Sequence, residues 1–144
     1  MILQQLNRSD AEKVFIIGKN TAAATISAGA PVYFETDSVT DGNSVSAAKG
    51  LLAGTALFAG INHASLTQSS YGLIQVYGFR TSAYVSAASA GCAIGIPLLP
   101  VVSQTYLTDT VSSNDFRMVN LMQTIGAAAG NSAVLQYKVF IRAL

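Results

Sequence analysis

A chain of 144 residues is long enough for one domain with a real core and too short for two of ordinary size. Charged residues make up only 10% of it while hydrophobics reach 51%, and a net charge of +1 on basic residues scattered singly leaves no stripe that could track a phosphate backbone, so nucleic acid is not expected as a partner. The single cysteine, Cys92, excludes an intrachain disulfide and a cysteine-based zinc site.

The few charges are unevenly placed. Between Lys49 and Asp109 the only Lys, Arg, Asp or Glu is Arg80. So neutral a surface tends to associate, and the expectation is that copies of the chain cover much of it.

In chain order, residues 1–11, with Ile2, Leu3 and Leu6 in a polar setting, read as an extended N-terminal arm, and residues 12–144 as a single β domain. The start "MILQQLNRSDAEK" has neither the basic n-region nor the apolar stretch of a secretory signal, so export by that route is not expected. Val14 to Ile17 is a short strand ended by "GKN"; Ala24 to Ile26 resumes it until "SAGAP" turns the chain, and Pro31 opens the strand "PVYFE". Glu35 to Lys49 is a surface loop with a tight turn at Asp41-Gly42-Asn43. Leu51 to Ile61 mixes helix-favouring Ala and Leu with Gly54 and Gly60 and is read as a strand.

Tyr71 to Phe79 is a strand in which Gly72 and Gly78 mark a bulge or a close backbone approach. Ser82 to Val102 has the length of a membrane span, but Pro97, Pro100, Gly91 and Gly95 interrupt it, so no membrane partner is expected. The clearest alternation is at the end, where Leu135, Tyr137, Val139 and Ile141 share one face, and Phe116 to Met122 is its hairpin partner. "TAAATISAGAPVYF" from Thr21 is echoed by "TSAYVSAASAGCAIGIPLL" from Thr81: a short strand, a turn, then Pro and an apolar strand. Many short strands without a long amphipathic helix predict an all-β fold, a compact antiparallel sandwich or barrel.

No constellation for catalysis emerges, and the chain is expected not to be an enzyme. His63, the single histidine, has no acidic residue between Asp41 and Asp109 to orient it. Cys92 sits in apolar "SAGCAIG", a setting that makes a thiol inert. Glu35, Asp37 and Asp41 are the densest acidic group, but Val39 and Ala48 stand where a calcium loop needs ligands. Neither phosphate-cradling glycine motif occurs, so no cofactor and no metal is expected. Arg80 must reach water, a carboxylate or a carbonyl, and at a subunit interface it would be a specific anchor. Tyr77, Phe79 and Tyr84 are its expected companions there; with Tyr71 they are alternatively the stacking platform of a carbohydrate-binding module.

The segments "TISAGAPVYF", "TDGNSV", "YGLIQVYGF" and "YKVFIRAL", within Thr21 to Leu144, resemble the small head-decoration, or cement, proteins of tailed bacteriophages. That resemblance implies a β-rich structural virion protein, made in the host cytoplasm, that trimerises on the outer capsid surface. It bridges subunits of the major capsid protein and so stabilises the shell. It also implies an arm that adds a strand to the capsid, with Ile2, Leu3 and Leu6 as its contacts. The rival within the virion is a fibre, spike or minor structural β-protein.

Overall fold

The computed structural model describes residues 12–35, 43–47, 58–86, 91–100, 104–109, 118–126 and 134–143. Among these, nine strands and no helix are present. In chain order they are β1 (Lys13–Asn20), β2 (Pro31–Phe34), β3 (Ser44–Ser46), β4 (Phe58–Asn62), β5 (Tyr71–Ser86), β6 (Pro97–Pro100), β7 (Leu107–Thr108), β8 (Val119–Leu121) and β9 (Val134–Arg142).

The pairings close on themselves twice. β1 pairs with β3, β3 with β2, β2 with β4, β4 with β5, and β5 returns to β1; a second circuit runs β5, β7, β6, β8, β9 and back to β5. Each circuit is a small five-stranded barrel. The lobes share β5: its first part, Tyr71 to Gly78, pairs with β1, and its second part, Tyr77 to Ser86, pairs with β9.

The two lobes are one fold used twice. β1 and the second part of β5 are counterparts, as are β2 and β6, β3 and β7, β4 and β8, and the first part of β5 and β9. The parallel pair β1–β3 is matched by the parallel pair β5–β7, and every other pairing in both circuits is antiparallel. Main-chain hydrogen bonds around the turns before β2 and β6 match. Asn62 donates to Ala30 as Leu121 does to Ile96, Gly29 to Asn62 as Gly95 to Leu121, and His63 to Leu73 as Met122 to Lys138. The isolated bridge Ile26–Leu66 is matched by Cys92–Ile125.

The inward residues follow the same correspondence. Ile26, Ala30, Val32, Val45, Leu66, Ile74 and Val76 fill the first lobe; Cys92, Ile96, Leu98, Leu107, Ile125, Val139 and Ile141 stand in their places in the second. Burying each larger aliphatic side chain contributes about 1.5–3 kcal/mol. Tyr33, Phe58 and Ile61 of the first lobe point the other way and join the second lobe's core, so the lobes are packed against each other.

Several expectations from sequence are met. β2 and β6 both open on proline after matching turns, so the echo is a real duplication. In β9, Tyr137, Val139 and Ile141 are buried and β8 pairs with the stretch from Val139 to Ile141, although Leu135 is exposed. Others need correction. The fold is barrel-like, yet its pairing is mixed: β1–β3 and β5–β7 are parallel, because residues 21–43 and 87–106 give each pair the long crossover that parallel strands require. Gly18 does not end β1, which continues to Asn20; the missing Cβ there makes room for the Ile74 side chain. Ala24 to Ile26 makes only the bridge from Ile26. Tyr71 to Phe79 continues without a break into the strand expected after Thr81. The junction within β5 requires Gly78, which lies at φ 102° and where a Cβ would run into the carbonyl of Glu12. The arm residues Ile2, Leu3 and Leu6 lie outside the described residues, as do Asp37, Asp41, Phe116 and the segment 51–57.

Candidate interaction surface

Arg80 lies on β5 where the strand passes from one lobe to the other, beside the irregularity between Arg80 and Ala83. It is only 6% exposed. Its Nε donates to the Ser82 carbonyl at 2.7 Å and its Nη2 to the His63 carbonyl at 3.3 Å. Burial pulls the guanidinium pKa below its ordinary value. The carbonyls that Arg80 meets here belong to its own chain, brought together by the local bulge. Around it lies a small polar hollow of about 130 Å³ lined by Lys13, His63, Gln75, Arg80, Thr81 and Ser82. The Gln75 amide is spent inside, donating to Tyr77 and Phe79 carbonyls at 3.3 and 3.2 Å. His63 is exposed, with its ring edge-on to Phe15 at 5.1 Å.

The four aromatics expected to act together are divided. Tyr77 meets Phe140 edge-to-face at 5.4 Å, Phe79 is the register partner of Phe140, and the Arg142 guanidinium lies 5.5 Å over the Phe140 ring. Tyr84 is elsewhere: it packs against the first lobe's core. It borders the junction between the lobes, so Tyr71, Tyr77, Phe79 and Tyr84 do not make one stacking platform.

A second exposed patch was not anticipated. On the outer face of β1 and β5, Ile17 is 62% exposed opposite Leu73 at 47%, and Tyr71 at 59% faces Lys19, whose Nζ lies 5.8 Å over its ring. On the second lobe, Ile94 is 61% exposed at the tip of the turn before β6.

That turn has a counterpart in a very different setting. Gly29 and Gly95 occupy matching positions, at φ 90° and 88°. Gly29 is buried against β5: its carbonyl accepts the Tyr84 amide at 2.9 Å, and a Cβ on it would meet the Ser82 carbonyl oxygen at 2.9 Å. Gly95 is exposed, and a Cβ there would meet nothing within 4 Å among the described residues. Beside the Gly29 junction runs a groove of about 270 Å³ lined by residues of both lobes, Ile26, Ala47, Tyr84 and Val134 among them.

Cys92 is buried in the second core and its thiol donates to the Asp109 carboxylate at 2.8 Å, in keeping with a packing role. Among the described residues no group of three His, Cys, Asp or Glu side chains could hold a metal ion, and no helix is long and apolar enough to cross a membrane.

No protein-family model matches the chain, and no curated protein matches it in sequence. In structure it is similar to the head fibre gp8.5 N base of bacteriophage phi29. The TM-score is 0.53 at 10% identity, over 91% of this chain and 96% of that one. The likeness covers both lobes and is one of fold.

Proposed function

We propose that the chain is a non-enzymatic structural protein of a bacteriophage virion, located on the outer surface of the head. There it binds the major capsid protein, associates with its own copies as a homotrimer, and acts as a cement that bridges capsid subunits. The observation that carries this reading is the fold, shared across 91% of the chain with a phage head-fibre base. Three features agree with it. The surface is poor in charge, so copies can approach at little desolvation cost. The Arg80 Nε and Nη2 and the Gln75 amide nitrogen donate to the chain's own carbonyls, so these buried polar side chains hold the framework together. Weak contacts repeated over a lattice add up through multivalency.

The fold neighbour's own description favours a second reading, in which the chain is the base of a head fibre. Copy number separates the two: a cement is present at a stoichiometry near that of the capsid protein, a fibre base well below it. The test is co-sedimentation of the purified chain with empty heads of its phage, followed by thermal disruption of the loaded heads. The expected result is saturable binding and a raised disruption temperature. Binding without stabilisation selects the fibre base, and absence of binding overturns both readings.

A further inference from the structure

Among the described residues the contact that joins the two lobes is made once, and each of its two surfaces has a counterpart elsewhere in the chain. Inside the chain, the Gly29 turn of the first lobe sits on the opening strand of the second, at Ser82, Ala83 and Tyr84. By the correspondence of β1 with the second part of β5, the counterparts of Ser82, Ala83 and Tyr84 are Ile17, Gly18 and Lys19. The counterpart of the turn Ala28-Gly29 is Ile94-Gly95. Among the described residues a Cβ on Gly95 would meet nothing within 4 Å, and the Lys19 amide, the counterpart of the Tyr84 amide, is held by Asn43 and not by a glycine turn.

Both counterpart surfaces carry apolar side chains where the junction carries small ones. Ile94 stands in the place of Ala28, and Ile17 in the place of Ser82; they are 61% and 62% exposed, and Leu73 and Tyr71 extend the patch around Ile17. The main-chain bond of the inner junction is not repeated, because the Lys19 amide is already given to Asn43 at 2.8 Å. Apolar contact takes its place, the exposed isoleucines being the material for it.

We propose that a second copy of this chain occupies the site: the Ile94-Gly95 turn of one copy docks on the Ile17, Leu73 and Tyr71 face of the next. The contact is head-to-tail, joining two different surfaces, and closes into a ring when its rotation divides a full turn. A homotrimer is the three-membered ring of that kind. The proposal deepens the self-association within the reading above and rests on that part of it, while the choice of these two surfaces comes from the duplicated fold alone.

The test uses the whole chain and two variants, Ile17→Lys and Ile94→Lys, both at exposed positions, with circular dichroism and thermal melting as checks of folding. Solution mass is measured by analytical ultracentrifugation for each protein alone and for an equimolar mixture of the variants. The native chain is expected to be an oligomer and each variant alone a monomer. The mixture is expected to form a one-to-one dimer, since the intact turn of Ile17→Lys meets the intact face of Ile94→Lys. A native oligomer that both variants preserve overturns the proposed surface and leaves self-association standing. So does a mixture that stays monomeric while each folded variant is monomeric, which is the outcome of a symmetric contact. A monomeric native chain, with the turn covered by its own N-terminal residues or only by the capsid, overturns the proposal and the homotrimer together.

Discussion

Ile26 and Cys92 stand in the same place in the two lobes. Ile26 exchanges both of its main-chain hydrogen bonds with Leu66, and Cys92 exchanges both of its own with Ile125. Each side chain is then turned into its lobe, 1% and 3% exposed.

The thiol of Cys92 is therefore expected to be shielded from a soluble alkylating or disulfide reagent in the native protein. Labelling should require the second lobe to open, at a rate far below that of the unfolded chain and rising with denaturant. Mass spectrometry after timed labelling measures it. Modification in the native state as fast as in denaturant would show that the Cys92–Ile125 bridge does not persist.

The matched turns give a paired prediction. Gly95→Ala pays only for a positive φ, an expected loss of about 1 kcal/mol. Gly29→Ala meets that strain and also the Ser82 carbonyl, and is expected to lose about 2–3 kcal/mol. Urea denaturation of the two variants at low protein concentration checks the order. Equal losses would mean that the first lobe's turn is not tightly held by β5.

What could be read from sequence was whatever depended on neighbours along the chain. The alternation of Tyr137, Val139 and Ile141 fixed the face of β9, and the echo around Pro31 and Pro97 announced matching turns. Partners distant in sequence were not legible. The carbonyls that receive Arg80 come from residues 63 and 82, and only the passage of β5 between two barrels aims the guanidinium at both. The duplication itself was half hidden, because the lobes keep positions and exchange chemistry: Gly72 in one is Tyr137 in the other, and Asn20 is Val85. The parallel pairs were invisible for a related reason, since two- and three-residue strands such as β7 and β3 are too short to show a period.

Tyr33 predicts an alkaline weakness. Its hydroxyl is buried and makes no hydrogen bond among the described residues, and burial holds its pKa well above the ordinary phenol value of 10. Above about pH 10 the unfolded chain releases this proton and the folded chain keeps it, so the folded state binds more protons and stability falls as pH rises. The fall from this residue approaches about 1.4 kcal/mol per pH unit beyond that point. Tyr33→Phe removes the contribution and keeps the edge-to-face contact with Phe58. The variant should match or exceed the native chain at pH 7 and gain on it progressively above pH 10, as denaturation at a series of pH values would show. A parallel pair of curves would mean the phenol is ionised in the folded state as readily as in the unfolded one.

Asn62 supports the last prediction. Its counterpart in the second lobe is Leu121, and both main chains make the same bonds. The side chains do different things. The Asn62 amide nitrogen donates to the carbonyls of Ile26, Ser27 and Ala64 at 3.1, 3.2 and 2.6 Å, tying the residues before β2 to those after β4. Leucine at this position would reproduce the second lobe's residue and fill the space, yet take the side-chain donor from the Ala64 carbonyl and leave those of Ile26 and Ser27 with only the main-chain donors Leu66 and Ala30. Asn62→Leu is therefore expected to destabilise the chain, by about 2–4 kcal/mol, because desolvated acceptors cost more than the added apolar contact returns. Asn62→Asp removes the donors and places a charge against the carbonyls, so it should cost more at pH 7 than at pH 4, where protonation restores one donor. Urea denaturation of both variants at the two pH values decides it. If leucine were neutral here, the lobe's shape would be set by packing alone and the hydrogen-bonded asparagine would be incidental.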